Sequence, residues 1–509
     1  MWTGCGDARW AAGIGFESGR IVEVHRDPPA GRAGDLDLGG RAVLPGLVDS
    51  HVHLLPWGRR LAWLDLRDAC GLDDVRARLG GRAAALLPGQ WLFAMGLHPD
   101  SLGVARPHRR ALDDVCSGHP AYISTHDTHA AWANTEALRL AGVGRSTPDP
   151  PGGRFERDAD GEPTGILFET ARQPVTAAIG APGPAEDREA LLRAQREAHR
   201  FGVVEVHSFE GAGEWEALRG LRAGGGLTLR VTHMFPREEL EAHLDAGART
   251  GEGDERLRTG CLKLFADGTL GLRTARMLEP YASGGTGEWA TPPGELRELA
   301  VRAARAGLGT AIHAIGDAAV RAALEALEAA RRVADVPLRV EHAQIVSGSD
   351  LPRFAASGIA ASMQPVHFLT DRVRALAEWG GRCRLAYAWG VLAAAGAEVL
   401  FGTDAPVEPL DPWATLAAAV RPGDAGSPAH APERAVPLGR ALDAMTAAPR
   451  RVMRALPGSL APGLPADLVV VDRSARDLEG GADLATVRPV LVLVDGVAVH
   501  AEGPFAGLS

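Results

Sequence analysis

Eight apolar stretches recur along the chain, each only a few residues long, and most of them close on a histidine, a lysine or an aspartate. They are VLPGLVDSHVHL (43–54), VVEVHSF (203–209), LTLRVTHMF (227–235), CLKLFADG (261–268), GTAIHAIG (309–316), LRVEHAQIV (338–346), IAASMQPV (359–366) and EVLFGTDAP (398–406). Helical patterns lie between several of them. Over 317–332, Val320, Leu324 and Leu327 keep the helical period behind an expected N-cap at Asp317. Near-continuous apolar strands separated by helices imply parallel strands covered on both faces. Eight is the number that closes a (β/α)8 barrel of the TIM type, whose functional residues sit at the C-terminal ends of the strands. The predicted class is α/β, with the barrel over 46–455.

Two regions fall outside the barrel count. Residues 58–183, between the first and second strands, carry strand-like and helical stretches of their own and the Pro/Gly-rich STPDPPGGRF. A structureless loop of that length is rare, so they read as an inserted subdomain. Its place after the first strand predicts that it covers the barrel mouth and selects the substrate. The tail (ADLVVVDR, then PVLVLVDGVAV) is all strand, and 1–45 with 456–509 are expected to form one small β-sandwich.

Composition excludes more than it assigns. Against 54 Lys+Arg stand 64 Asp+Glu, a formal charge of −10, which argues against nucleic acid or an anionic membrane as the main partner. No apolar run is long enough to cross a bilayer, and the N-terminus lacks the basic-then-apolar layout of a signal peptide. Cys5, Cys70, Cys116, Cys261 and Cys383 contain no CxxC pair, which fits reduced thiols and a cytoplasmic location. Lys263 is the one lysine in the chain. Where arginine has replaced every generic cation, a surviving lysine points to chemistry arginine cannot do, since only lysine gives up its proton and accepts modification.

The polar residues at the strand ends form a set. Strand 1 ends in Ser50-His51-Val52-His53, strand 4 carries Lys263, strand 5 His313, strand 6 His342 and strand 8 Asp404. Residues i and i+2 of a strand share a face, so His51 and His53 both face the barrel interior. Two such imidazoles beside two more histidines and a carboxylate make a first-row transition-metal site. As mere core residues they would bury several polar groups without partners.

LPGLVDSHVHL, the lone lysine, IHAIGD, VEHAQ and FGTDAPV resemble the metal-binding motifs of the amidohydrolase superfamily. STHDTHAAWANTEAL, DADGEPTGILFE, LKLFADGTLGLRTA, SMQPVH and GSLAPGLPADLVVVD extend the resemblance over nearly the whole chain, to the family-3 (YtcJ-like) branch that includes N-substituted formamide deformylases. The resemblance implies a metal-bearing barrel, a β-sandwich from both termini and an insertion after strand 1. It implies hydrolysis of a C–N bond, amide or N-formyl, in a small molecule. His51 and His53 would hold one divalent ion, expected to be zinc, with Asp404 completing its shell. His313 and His342 would hold a second, and Lys263, carbamylated by CO2, would bridge the two. Metal lowers the pKa of a bound water to roughly 7. Asp404 would take its proton and pass it to the departing amine. The alternative is one metal on His51, His53, His313 and Asp404, with Lys263 and His342 as outer donors, which suits deamination of an amidine or heterocycle. A non-catalytic barrel scaffold is the remaining reading.

Four further residues are candidates for substrate contact. His129 lies in the insertion, in H-x-x-W-x-N with Trp132 and Asn134, and Asn134 itself reads as a helix N-cap. Asp267 and Arg273 follow strand 4, where loop bracing competes with substrate binding. Gln364 ends strand 7, facing the site. His207 reads as a hydrogen-bonded core histidine.

Overall fold

The computed structural model describes residues 2–4, 10–27, 35–98, 102–103, 107–125, 130–180, 182–423 and 432–508. The chain divides into two compact units, one of Met1–Trp57 with Leu191–Ser509 and one of Gly58–Ala190.

The larger unit is built on eight parallel strands: β1 (Leu47–Val52), β2 (Val203–Phe209), β3 (Arg230–Pro236), β4 (Leu257–Phe265), β5 (Thr310–Ala314), β6 (Leu338–His342), β7 (Ala360–Met363) and β8 (Val399–Phe401). They pair in sequence order, β1 to β8. The ring is joined at its ends by backbone bonds just past the strands: Asp404 N donates to His51 O at 2.8 Å and His53 N to Ala405 O at 2.8 Å. All eight predicted stretches contribute a strand, and nearly every residue of those strands is buried, as the continuous apolar runs require. Helices such as Pro293–Arg305 and Asp317–Arg331 turn apolar faces inward. Asp317 is not the cap of its helix. Gly316 occupies that position, and the Asp317 carboxylate accepts from Leu278 N at 2.8 Å instead.

Both termini contribute to antiparallel structure in the same unit. Val43–Pro45 pairs with Leu468–Val471, which continues through Pro489–Val494 to Val497–Ala501. A hairpin of Gly13–Glu17 and Arg20–His25 shares with that sheet one apolar core of Ile21, Val43, Leu460, Leu468, Val470 and Leu491.

The smaller unit has its own six-stranded mixed sheet and a core including Val75, Leu79, Leu92, Ile123 and the fully buried Trp132. Asn134 caps the helix Thr135–Leu140 by accepting from Ala137 N at 3.0 Å. No helix among the described residues is long and apolar enough to cross a membrane.

Candidate metal centre

Each strand delivers its polar residue to the same end of the barrel. His51 lies in β1 with His53 just beyond it, Lys263 in β4, His313 in β5, His342 at the end of β6, and Asp404 shortly after β8. β1 and β8 approach closely here because residue 402 is glycine: a Cβ on Gly402 would lie 2.5 Å from His51 N. His342 and Asp404 hold φ of 71° and 61°, a left-handed backbone unusual for non-glycine residues and concentrated at functional sites.

The histidine tautomers are set from behind. His51 Nδ1 lies 2.7 Å from Glu341 Oε2, and His53 Nδ1 lies 2.7 Å from Glu210 Oε1. A carboxylate can only accept, so each Nδ1 carries the proton and each Nε2 presents a lone pair. Both lone pairs face one oxygen: His51 Nε2 is 3.6 Å and His53 Nε2 3.5 Å from Asp404 Oδ1. His313 Nε2 donates to Gly268 O at 3.0 Å, which leaves its Nδ1 bare, and His342 Nδ1 donates to Gln364 Oε1 at 2.9 Å. The rings of His313 and His342 are 4.5 Å apart and those of His342 and His51 4.9 Å. His51, His342 and Asp404 can each offer one ligand atom such that all lie within 4.8 Å of one another.

Acceptors aimed at an acceptor repel, and a divalent cation removes the repulsion. The donor set of imidazole nitrogens and a carboxylate suits zinc or a similar ion. The protonation states agree. Burial and the neighbouring Lys263 pull His51 down to about 4 and His313 to about 3. Burial and His313 hold His342 well below the usual range. His53 is the exception: burial opposes its charge, but hydrogen bonds to Asp404 and Glu210 outweigh it and lift the ring to about 9. Without an ion its Nε2 therefore also carries a proton toward Asp404, one that a bound cation would displace to expose the lone pair. Burial favours a neutral Asp404, yet His51, His53 and His342 together keep it ionised well below the carboxylate range.

Lys263 is buried among these groups, its Nζ 4.4 Å from the Phe209 ring centre and 4.9 Å from that of Phe265. Burial, the largest influence, brings its amine down to about 8 against the pull of Glu341 and Asp404. A neutral amine is therefore accessible at ordinary pH.

The candidates for substrate contact separate. Gln364 is buried against His342, with its Nε2 lacking a hydrogen bond among the described residues. Asp267 is occupied elsewhere: its carboxylate accepts from Ile315 N at 3.0 Å, Gly316 N at 2.8 Å and Arg276 N at 2.7 Å, the bracing arrangement. Arg273 is largely exposed and lies 3.8 Å from Glu378. His129 lies outside the described residues.

Sequence reasoning passed over the groups behind the ligands. Arg339, fully buried inside the barrel, donates to Glu341 Oε1 and Oε2, to Ser50 O at 2.6 Å, to Ser362 Oγ at 2.7 Å and to His207 Nδ1 at 2.8 Å. Burial alone would neutralise Glu341, but Arg339 and His51 keep it ionised. Asp49 accepts from Thr403 Oγ1 at 2.6 Å and Thr403 N at 3.0 Å, tying β1 to β8 beside the site. His367 brings its Nε2 to 3.7 Å from Asp404 Oδ2. The signal for Arg339 and Glu341 is their spacing, two apart between the apolar Leu338 and Val340 of β6, which puts both on one face.

Residues 36–500 match a family model described as "Amidohydrolase family". The chain is 31% identical over 417 residues to the putative amidohydrolase YtcJ of Bacillus subtilis (strain 168), covering 79% of this chain and 77% of that protein. It is 29% identical over 499 residues to the N-substituted formamide deformylase of Arthrobacter pascens, covering 91% of this chain and 89% of that one. Among solved structures, an uncharacterized metal-dependent hydrolase from Pyrococcus horikoshii OT3 superposes with a TM-score of 0.75 at 29% identity, covering 90% of this chain and 92% of that one.

Proposed function

Because the chain belongs to the amidohydrolase family, in the branch that holds YtcJ and N-substituted formamide deformylase, we propose that it hydrolyses the C–N bond of a small amide or N-formyl amine with the help of divalent metal. The observation that carries this reading is the convergence of the His51 and His53 Nε2 lone pairs on Asp404 Oδ1, with both Nδ1 atoms fixed by carboxylates.

His51, His53 and Asp404 would hold one ion, and His313 and His342 a second. Lys263 lies among them and would, as a carbamate, supply the anion that two neighbouring cations need; its buried, readily neutral amine favours addition of CO2. Metal bound there supplies positive charge that polarises an acyl oxygen and acidifies a water near neutral pH. Asp404 is the base. It is ionised, buried and within 4.0 Å of His51, His53, His342 and His367, so it is placed to take a proton from the attacking water and return it to the leaving amine. Burial of the cluster, in which His53 alone of these residues is partly exposed, limits bulk water and strengthens these interactions. The name of the Arthrobacter relative supports the N-formyl class. The net negative charge argues for a small-molecule substrate over nucleic acid or an anionic membrane, and the proposed location is the cytoplasm.

The test is to load the purified chain with zinc and screen N-formyl and N-acyl amines, identifying the products. Release of formate or another carboxylate with an amine supports the reading. Release of ammonia from amidines or heterocycles, with every amide inert, would replace it by deamination.

A further inference from the structure

The motif SMQPVH ends β7 and opens the helix Pro365–Trp379, and two of its side chains end in buried atoms that bond to nothing described. Gln364 gives its Oε1 to His342 Nδ1, which leaves the Nε2 amide hydrogens without an acceptor. His367, in the first turn of the helix, is 6% exposed, and its Nε2 has no hydrogen-bond partner among the described residues. The nearest carboxylate oxygen, Asp404 Oδ2, is 3.7 Å away, too far for a bond. Its ring lies parallel to that of His342 at 6.4 Å between centres. Buried polar groups in a folded chain are almost always paired, and two unpaired ones a single helical turn apart, beside a metal centre, mark a place a ligand completes.

We propose that His367 Nε2–H and Gln364 Nε2–H form a donor pair that binds the acyl oxygen of the substrate. The inference rests on the amide-hydrolase reading. An amide's nitrogen lone pair is delocalised into its carbonyl, so the oxygen is the group these donors recognise. Asp404, an acceptor, repels that oxygen and favours the amine side. Both donors are fixed before substrate arrives, Gln364 by His342 and His367 by the helix, so they strengthen as charge builds on the oxygen. His367 is then a catalytic residue for the reaction.

The zinc-loaded full chain tests this with formanilide and acetanilide as substrates and acetohydroxamate as a binding probe. His367→Ala is expected to lower kcat about 10²–10³-fold, the loss typical of one such donor, with KM little changed. Zinc content and Tm stay at the wild-type values, and acetohydroxamate binds at least tenfold more weakly by calorimetry. His367→Gln, which carries an amide N–H near the same place, recovers part of the loss. Gln364→Glu keeps an acceptor for His342, removes the donor and adds a negative charge; it is expected to lose kcat at least as strongly, with zinc content measured alongside, and it carries the test if His367→Ala does not fold. Turnover and probe binding within threefold of wild type at full zinc overturn the proposal, as does loss of zinc in step with activity. If no amide is turned over by the wild-type chain, the parent reading fails, and the acetohydroxamate comparison alone decides the donor pair.

Discussion

Glu341 is the residue on which the geometry of His51 depends. Its carboxylate fixes the proton on Nδ1 and is itself kept charged in the core by Arg339. Glu341→Gln keeps the size but weakens that hold, and divalent metal affinity is expected to fall about 10–100-fold, the usual cost of losing such a partner. Competition titration with a chelator measures it, and unchanged affinity would make Glu341 only a filler of the barrel. Lys263→Arg keeps a positive charge but cannot become a carbamate. Two-ion occupancy is expected to fail, read by elemental analysis, and a variant holding two ions with normal turnover would remove the carbamate from the account. The proposed ligands were legible as residues because HxH and the lone lysine stand out in apolar strands. Glu210 was not, since an acidic residue immediately past a strand looks like any solvated loop charge until the fold brings it 2.7 Å from His53.

At the scale of elements, the polar residues inside β1, β2 and β6 obey the two-residue repeat: Asp49 and His51, Glu205 and His207, Arg339 and Glu341. Their existence was therefore legible, whereas their partners came from strands far apart in sequence and had no local signal. The Asp317 cap failed for a related reason: Gly316 N is already bonded to Asp267, and the aspartate beside it serves the loop carrying Leu278. The helix Ala212–Ala223 carries a buried carboxyl, Glu214, that accepts from Leu55 N and Ser208 Oγ, both at 3.0 Å, and thereby holds the turn after His53. Burial, then the charge of Glu210, pushes Glu214 up to about 8. Between its ordinary 4.5 and about 8 the folded chain keeps a proton that the unfolded chain has released. Stability from this group therefore falls as pH rises through that window. Glu214→Gln cannot ionise and is expected to gain on wild type by a few kcal/mol between pH 5 and pH 8 in denaturant titrations. A difference that stays constant with pH would show that Glu214 is charged in the fold.

Over the whole larger unit, charged groups continue from the metal centre to the terminal sheet. Glu341 and Arg339 lead to His207; beyond it Glu205 pairs with Arg450 at 2.7 Å, and Arg450 and Arg230 share Asp467, which precedes Leu468–Val471. The barrel and the sheet from both termini were legible because strand period and count need only the sequence; this buried ladder was not, because each rung joins residues up to 245 positions apart. Asp467→Ala removes a carboxylate that two buried arginines share, leaving Arg450 with Glu205 and Arg230 with Asp495, and is expected to cost about 1–3 kcal/mol of stability, measured by denaturant unfolding. Loss of under 1 kcal/mol would show that the arginines find water instead. The histidines, Lys263 and Asp404 are proposed to hold a catalytic divalent metal. Metal content and amide hydrolysis, followed together while a chelator strips the chain and zinc is returned, test this most directly. Both are expected to fall and to recover in parallel, in wild type and not in His51→Ala or His342→Ala; full hydrolysis by metal-free chain would show that no metal is needed.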